Sequence, residues 1–206
     1  MCAATVLGVN VAEVQAEKAG LRSQLLSARS RLSADARAAA GRGIRDALLS
    51  LAELQMAGTV AVYYSVGTEP DTRRLVYGLW KRGTYVLLPV LQEDGDLDWA
   101  SYEGPDSLVP GRSGLLEPSE PPRGVDAVRR ADAVLVPALA VDRAGNRLGR
   151  GGGSFDRALA RVGPLIPVIA LIYDDELVDH VPAQAHDVPV RAVARPGHGI
   201  TALSAG

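Results

Sequence analysis

The sequence has little of several residue types, and each shortage excludes a class of protein. Cys2 is its one cysteine, so no disulfide can form within the chain, and we expect the reducing environment of the cytoplasm. With 22 basic and 24 acidic side chains, the net charge of −2 lacks the cationic excess of a protein that binds nucleic acid through its overall field. No apolar run approaches the ~20 residues that span a bilayer, and the first ten residues lack the basic segment of a secretory signal.

What is present suits a single folded domain. Apolar residues make up 47% and charged residues 22% of the 206 residues, which provides material for one ordinary core. We expect one domain over residues 1–206, with residues 1–12 as a loosely ordered extension, and a monomer without nucleic-acid or membrane partners.

Hydrophobic periodicity predicts the secondary structure. Residues 12–33 and 33–55 contain no proline and space their leucines helically, which predicts an N-terminal pair of helices with Ser33 as the N-cap of the second. Short apolar runs then predict buried strands at residues 59–65, 85–90, 133–136 and 167–173. Further helices are predicted at residues 72–82, 155–162 and 174–179.

Alternation of strands and helices predicts an α/β fold, in which helices flank an open, largely parallel sheet in three layers, because parallel strands need crossover connections. Residues 92–130 hold much of the proline, glycine and acid of the chain. We expect irregular structure there, or a peripheral hairpin around residues 97–102.

A glycine-rich run, Arg147-Leu-Gly-Arg-Gly-Gly-Gly-Ser-Phe-Asp-Arg157, lies between a predicted strand and a predicted helix. Glycines let backbone N–H groups approach an anion, and a helix N-terminus adds partial positive charge. Arg147, Arg150 and Arg157 can pair with phosphate oxygens, and Asp156 can offer an oxygen to Mg²⁺. The run matches neither the Walker A nor the G-x-G-x-x-G pattern, so a flexible turn with solvated arginines remains an alternative.

Basic residues of the first predicted helix form a second candidate group. Lys18 and Arg22 share a helix face, and Arg29 falls near the same line. Their aliphatic stems can lie over apolar surface, so the charged ends can point into a cleft or into water. Spacing alone favours the solvated arrangement for all three.

Acidic residues near turns form the third group, and each has a local alternative role. Asp71 or Thr72 can cap the helix that follows, Glu117 can belong to a surface turn, and Asp187 can form an Asx turn between two prolines. The histidines have no metal-ligand spacing, and we expect a structural role for His186.

The full glycine-rich string resembles the signature of the 5-formyltetrahydrofolate cyclo-ligase family, Arg-Leu-Gly-x-Gly-x-Gly-Tyr-Tyr-Asp, which follows a strand ending in Pro and then an Asp and a Gly. The matching residues are Pro137, Asp142, Gly145, Arg147, Leu148, Gly149, Gly151, Gly153 and Asp156. Markers elsewhere, in family order, are Lys18, Leu21, Arg22, Tyr64, Ser65, Glu69, Asp71, Thr72, residues 114–118, His186 and Asp187. The resemblance covers about residues 14–190.

This resemblance implies conversion of 5-formyltetrahydrofolate and ATP to 5,10-methenyltetrahydrofolate, ADP and phosphate, in a fold related to sugar-phosphate isomerases and CoA transferases. It implies ATP contacts by Lys18, Arg22, Arg147, Leu148, Gly149, Arg150, Gly151, Gly152, Gly153, Ser154 and Phe155. The implied folate contacts are Val66, Glu69, Asp71, Glu117, Arg150, Gly151, Gly152, Gly153 and Ser154. Asp156 and Asp187 are implied to bind Mg²⁺, and Arg147 and Arg150 to be catalytic.

Two departures from the family pattern stand out. Ser154-Phe155 replaces a pair of tyrosines, and Val141 replaces a common Phe. Two other functions remain open at this point. One is a sugar-phosphate isomerase or CoA-transferase-like enzyme without need of ATP, and the other is a non-catalytic nucleotide-binding regulator.

Overall fold

The computed structural model describes residues 11–184 and 187–203. Its α-helices are α1 (Val11–Ser30), α2 (Ala34–Ser50), α3 (Ala52–Met56), α4 (Arg73–Lys81) and α5 (Ser154–Leu159). The predicted N-terminal pair is confirmed as α1 and α2. Ser33 caps α2, since its hydroxyl accepts a hydrogen bond from the Ala36 N–H at 3.1 Å. Most of the expected extension at residues 1–12 lies outside the described residues.

One seven-stranded sheet organises the chain. In spatial order its strands are β12 (Gly199–Ala202), β11 (Ala192–Arg195), β9 (Val168–Leu171), β6 (Ala133–Pro137), β1 (Thr59–Val62), β2 (Tyr85–Leu91) and β3 (Leu97–Ser101). The five central strands are parallel, and the edge strands β3 and β12 are antiparallel to their neighbours. This sheet confirms the predicted α/β class.

Alternating side chains cover both faces of the sheet. Val60 and Val62 of β1 pack in one hydrophobic cluster with Ile44 of α2 and Leu75 of α4. Ala61 between them points to the opposite cluster, which contains Leu159 of α5. The two clusters give the sheet a helical layer on each face, and this is the predicted three-layer arrangement.

Helix α1 packs on a separate three-stranded sheet made of β7 (Ala140–Asp142), β8 (Arg147–Leu148) and β10 (Leu177–Val178). Leu25 of α1 is buried there against Leu139, Leu148 and Val181, in a third and smaller cluster. The turn between β7 and β8 is held by Asp142, whose carboxylate accepts the N–H groups of Ala144, Asn146 and Val181. This small sheet brings α1 beside the glycine-rich run.

Several elements differ from the sequence-based predictions. The helix predicted at residues 174–179 is wrong, since a single 3₁₀ turn, Asp174–Glu176, leads directly into β10. The hairpin expected around residues 97–102 is confirmed as β3 pairing with β2. A second hairpin, β4 (Leu108–Pro110) with β5 (Leu116–Pro118), and the β11–β12 hairpin were not predicted.

Among the described residues, no helix is both long and apolar enough to cross a membrane.

Candidate active site

A cavity of about 460 Å³ lies at the carboxyl ends of three neighbouring parallel strands. Tyr63 and Tyr64 follow β1, Ala138 follows β6, and Leu91 ends β2, and all four residues line the cavity. The chain passes from β1 to β2 on one side and later returns as β6 on the other side of β1. In open α/β sheets ligands bind at such a reversal of strand order.

Most residues implied by the resemblance line this one cavity. They are Lys18, Arg22, Val66, Glu69, Arg147, Leu148, Gly149, Arg150, Gly151, Gly152, Gly153, Ser154, Phe155, Asp156 and Asp187. The remaining two, Asp71 and Glu117, are not among the lining residues.

Lys18 of α1 forms an enclosed ion pair with Asp187. The distance from Lys18 Nζ to Asp187 Oδ2 is 2.5 Å, and the two side chains are 6% and 12% exposed. The same carboxylate oxygen accepts the Gln184 N–H at 2.7 Å. The solvated arrangement that spacing favoured for Lys18 is therefore wrong, because Asp187 gives the ammonium a partner inside the fold.

Arg147 of β8 forms a second buried ion pair in the cavity. Its Nη2 lies 2.6 Å from Asp156 Oδ1, and its Nε is enclosed without a hydrogen-bond partner in the described part of the chain. Burial lowers the pKa of Arg147, whereas the charges of Asp156 and Asp187 oppose that shift. Both carboxylates thus act on one guanidinium.

The glycine-rich loop is attached to α1 and adopts a conformation that needs glycine. Arg22 Nε donates to the Gly149 carbonyl at 2.9 Å. Gly151 and Gly153 have φ values of 109° and 68°, which side chains disfavour. Helix α5 after the loop has only six residues, so the positive charge of the site comes mainly from the basic side chains.

Arg157, a predicted phosphate partner, has a different position. Its Nη2 donates to the carbonyls of Gly95 and Gly152, and its side chain does not line the cavity. Arg157 therefore joins the glycine-rich loop to the turn between β2 and β3.

Glu69 and Arg150 form a polar junction between the loop and the segment after β1. Arg150 Nε lies 3.2 Å from Glu69 Oε1, and Glu69 Oε2 accepts the Val66 N–H at 2.9 Å. Burial raises the pKa of Glu69, while the Val66 N–H and the charges of Arg150 and Arg29 counteract that effect. The junction places an acceptor and a cation side by side.

Asp71 and Glu117 make local contacts instead. Asp71 Oδ1 accepts the Arg73 N–H at 3.0 Å, whereas the N-cap position of α4 is Thr72, whose side chain forms no capping hydrogen bond. Glu117 Oε1 accepts the Leu91 N–H at 3.0 Å and so fastens the β4–β5 hairpin to β2. Their contacts with substrate stay predictions.

The cavity also contains residues outside the set implied by the family resemblance. Arg29 is buried and paired with Glu176, so the solvated arrangement is wrong for it as well. The sequence signal for a place in the cavity was its spacing of about two helical turns from Arg22 on the same helix face. Apolar lining comes from Pro89, Leu91, Leu97, Leu115 and Leu116.

Asp156 and Asp187 are suitable ligands for a hard cation. Asp156 Oδ2 accepts no hydrogen bond from residues 11–184 and 187–203, so this oxygen is available. Those residues contain no cluster of three or more His, Cys, Asp or Glu side chains arranged for a metal. Two carboxylates suit Mg²⁺, which takes its other ligands from water and substrate phosphates. His186, expected to be structural, lies outside the described residues.

Comparison with known proteins shows the family of this chain. The model of the 5-formyltetrahydrofolate cyclo-ligase family matches residues 14–196. A 5-formyltetrahydrofolate cyclo-ligase of Mycolicibacterium smegmatis is 44% identical over 159 residues, which cover 74% of this chain and 81% of the relative. One from Escherichia coli is 36% identical over 148 residues, covering 68% and 79%.

A solved structure shows the same fold. The 5,10-methenyltetrahydrofolate synthetase of Aquifex aeolicus superposes with a TM-score of 0.78 at 28% sequence identity, covering 92% of this chain and 94% of that protein. The family match over residues 14–196 includes most of α1 and the whole glycine-rich loop. On this agreement of sequence and fold, the chain belongs to the 5-formyltetrahydrofolate cyclo-ligase family.

Proposed function

We propose that this protein uses ATP to convert 5-formyltetrahydrofolate to 5,10-methenyltetrahydrofolate, with release of ADP and phosphate. The observation that carries the proposal is one cavity that joins Lys18, Arg22 and Arg147 to the glycine-rich loop, beside the carboxylates of Asp156 and Asp187. Membership of the cyclo-ligase family supports the same reaction.

The basic side of the cavity is suited to a triphosphate. Lys18, Arg22 and Arg147 can donate to phosphate oxygens, and the glycine amides can approach them closely. In this structure Lys18 and Arg147 pair with Asp187 and Asp156. If phosphate oxygens paired with Lys18 and Arg147 instead, both carboxylates would be available to hold Mg²⁺. When bound, Mg²⁺ neutralises charge on the phosphates.

The opposite side is suited to a folate. Leu91, Leu97 and Leu115 supply apolar surface for the flat rings. The Glu69 carboxylate can accept hydrogen bonds from the amino group and the ring N–H of the pterin. The Val66 backbone lies next to this carboxylate. Arg150 pairs with Glu69, so it lies where the folate side meets the glycine-rich loop.

The chemistry proposed for this site needs no side-chain nucleophile. The formyl oxygen attacks the γ-phosphorus, and the bond to the bridging oxygen breaks to release ADP. N10 then adds to the activated carbon and loses its proton, and cleavage of the carbon–oxygen bond expels phosphate and leaves the methenyl bridge. Arg150 and Arg147 stabilise the charge on the transferred group, since catalysis of phosphoryl transfer is largely positioning and electrostatics.

The Ser154-Phe155 pair retains one aromatic ring at the site. Phe155 lines the cavity and also packs against the hydrophobic clusters on both faces of the sheet. We propose that the ring at position 155 serves as the flat surface of the pocket, without the hydroxyl of the tyrosine usual in the family.

The protein is also proposed to work as a monomer in the cytoplasm, where ATP is available. Support for the monomer comes from the cavity, whose basic, acidic and apolar walls all come from one chain.

The proposed function is tested by the absorbance of the methenyl product, measured with purified protein, 5-formyltetrahydrofolate and Mg²⁺, with and without ATP. We expect product only when ATP is present, together with an equal amount of ADP. Absence of product with ATP, from protein that is folded, would overturn the proposal.

A further inference from the structure

Arg29, in the last turn of α1, lines the cavity although it is only 2% exposed. Its Nε and Nη2 lie 2.6 and 2.8 Å from the two carboxylate oxygens of Glu176. Nη2 also donates to the Ala138 carbonyl at 2.5 Å, directly after β6. A buried guanidinium is thus held by a two-point ion pair and a backbone acceptor.

The third nitrogen of this guanidinium, Nη1, has no hydrogen-bond partner in the described part of the chain. Enclosed side-chain nitrogens without partners are found at Trp99, Arg147 and Arg195, and Arg29 Nη1 is not one of them. Nη1 is therefore not fully enclosed, and the cavity is the space that Arg29 lines.

The orientation of Arg29 is fixed from several sides. The Tyr173 ring lies 5.3 Å from the guanidinium carbon, and Glu176 Oε2 also accepts the Tyr173 N–H at 2.8 Å. The Tyr173 hydroxyl donates to the Thr68 carbonyl at 3.1 Å, next to Glu69. Because the ion pair with Glu176 and the Tyr173 ring hold the guanidinium, Nη1 is a preorganised donor, and a bound acceptor would not have to order the side chain.

The chemistry beside Nη1 indicates which acceptor it fits. Arg29 acts electrostatically on Glu69. Burial raises the pKa of Glu69, and the positive charge of Arg29 opposes part of that rise. The edge of a pterin carries its 2-amino group, its N3–H and its O4 in a row. A carboxylate accepts from the first two groups, and a donor next to that carboxylate is needed for O4.

We propose that Arg29 Nη1 donates a hydrogen bond to O4 of the pterin ring, next to Glu69. This inference rests on the proposed function and adds a residue to its folate site. Arg29 then completes recognition of the pterin edge, and its ion-pair partner Glu176 acts as a positioning residue.

Two variants separate this contact from a purely structural role. Arg29→Lys keeps a cation for Glu176 but loses the planar fork that carries Nη1. Tyr173→Phe removes only the hydroxyl bound to Thr68, so it loses one structural contact near Arg29 but keeps the ring beside the guanidinium and the Arg29 donors.

Affinity is measured by calorimetry without ATP, for 5-formyltetrahydrofolate and for 5-methyltetrahydrofolate, which has O4 but no formyl oxygen. For Arg29→Lys we expect the dissociation constants of both folates to rise about tenfold, as for one charged hydrogen bond, with ATP affinity unchanged. For Tyr173→Phe both constants should stay within about twofold of the wild type, since no ligand contact is lost.

Unchanged folate affinity in Arg29→Lys would overturn the inference, and so would an equal loss in Tyr173→Phe. A loss confined to 5-formyltetrahydrofolate would place the contact at the formyl oxygen and overturn the assignment to O4. Should Arg29→Lys fail to fold, the joint change of Arg29 and Glu176 to Met removes the buried charges together, and the same loss is expected. If the wild-type protein binds neither folate, the proposed function itself fails.

Discussion

Lys18 Nζ and Asp187 Oδ2 lie 2.5 Å apart, although 169 residues separate them in the chain. The ion pair connects α1 to the loop before β11, and both side chains line the cavity. In this position the ammonium can exchange one anionic partner for another, a carboxylate for a phosphate.

Replacing Lys18 should weaken the use of ATP specifically. For Lys18→Ala we expect the KM for ATP to rise about tenfold or more, because one charged contact to phosphate is lost, while the KM for 5-formyltetrahydrofolate changes little. The control is Lys81→Ala, since Lys81 is the only other lysine, is exposed and lies over the Trp80 ring. Steady-state kinetics with each substrate varied in turn makes the measurement, and an unaltered KM for ATP would remove Lys18 from the nucleotide site.

Asp156 should be needed for turnover more than for folding. Asp156→Asn keeps an oxygen for Arg147 but loses the charge proposed for Mg²⁺, so we expect kcat to fall on the order of 100-fold or more. Thermal unfolding tests whether the variant is intact. Asp126→Asn is the control, because Asp126 is a 66% exposed carboxylate paired with Arg129. Comparable rates in both variants would contradict a metal-binding role.

Stability should depend on pH through Asp96. The hydrogen bonds from Arg161 lower the pKa of Asp96, and burial opposes this shift only in part. Since the carboxyl is more acidic in the folded than in the unfolded protein, its stabilising effect is present above the unfolded pKa, near 4, and is lost as pH falls through the lower folded pKa.

Denaturant unfolding of Asp96→Asn measures this effect. At pH 7 the variant should lose about 1 kcal/mol of unfolding free energy, and the difference from wild type should shrink below about pH 4. Asp46→Asn, at a 65% exposed carboxylate, should show little difference at any pH. A difference for Asp96→Asn that persists unchanged at pH 2 would exclude the charge of Asp96 as its cause.

Gly145 should be indispensable to the turn that precedes the glycine-rich loop. A Cβ atom there would lie 2.3 Å from the Val190 carbonyl oxygen, and φ is +87°. We expect Gly145→Ala to destabilise the protein on the order of 3 kcal/mol or more, because backbone atoms must move apart. At Gly83 φ is similar, +91°, but the space around the residue is open. For Gly83→Ala we therefore expect a loss of only about 1 kcal/mol of unfolding free energy, measured by thermal or denaturant unfolding. If both variants lost the same unfolding free energy, the strain of the positive φ, and not the contact with Val190, would explain the destabilisation.

The glycine-rich loop could be placed from the sequence because its signals are local. A strand ending at Pro137 and a helix beginning at Ser154 enclose the loop, and the spacing of Lys18 and Arg22 puts both on one helix face. Periodicity and glycine content report such features directly.

The burial of Arg29 could not be predicted in this way. A buried arginine needs a partner, and Glu176 is 147 residues away in the chain. The same reason applies to Glu117, whose carboxylate accepts the N–H of Leu91, 26 residues away in the chain. Sequence patterns show which residues can bind a ligand, while tertiary contacts determine which of them are already occupied.

The β11–β12 hairpin escaped prediction because its strands are four residues long and carry few β-branched side chains. Its place in the sheet comes from pairing with β9. Together with the five other strands of the main sheet, these two nevertheless form one seven-stranded sheet.

The separate packing of α1 has a consequence for hydrogen exchange. Leu25 and its neighbours form a small cluster on the three-stranded sheet, whereas the large clusters enclose the main sheet. Helix α1 can therefore open locally at a lower free energy than the sheet, and its amides should exchange first. A nucleotide that bridges Lys18 and Arg22 to the glycine-rich loop would slow that exchange, which makes α1 the natural reporter of occupancy.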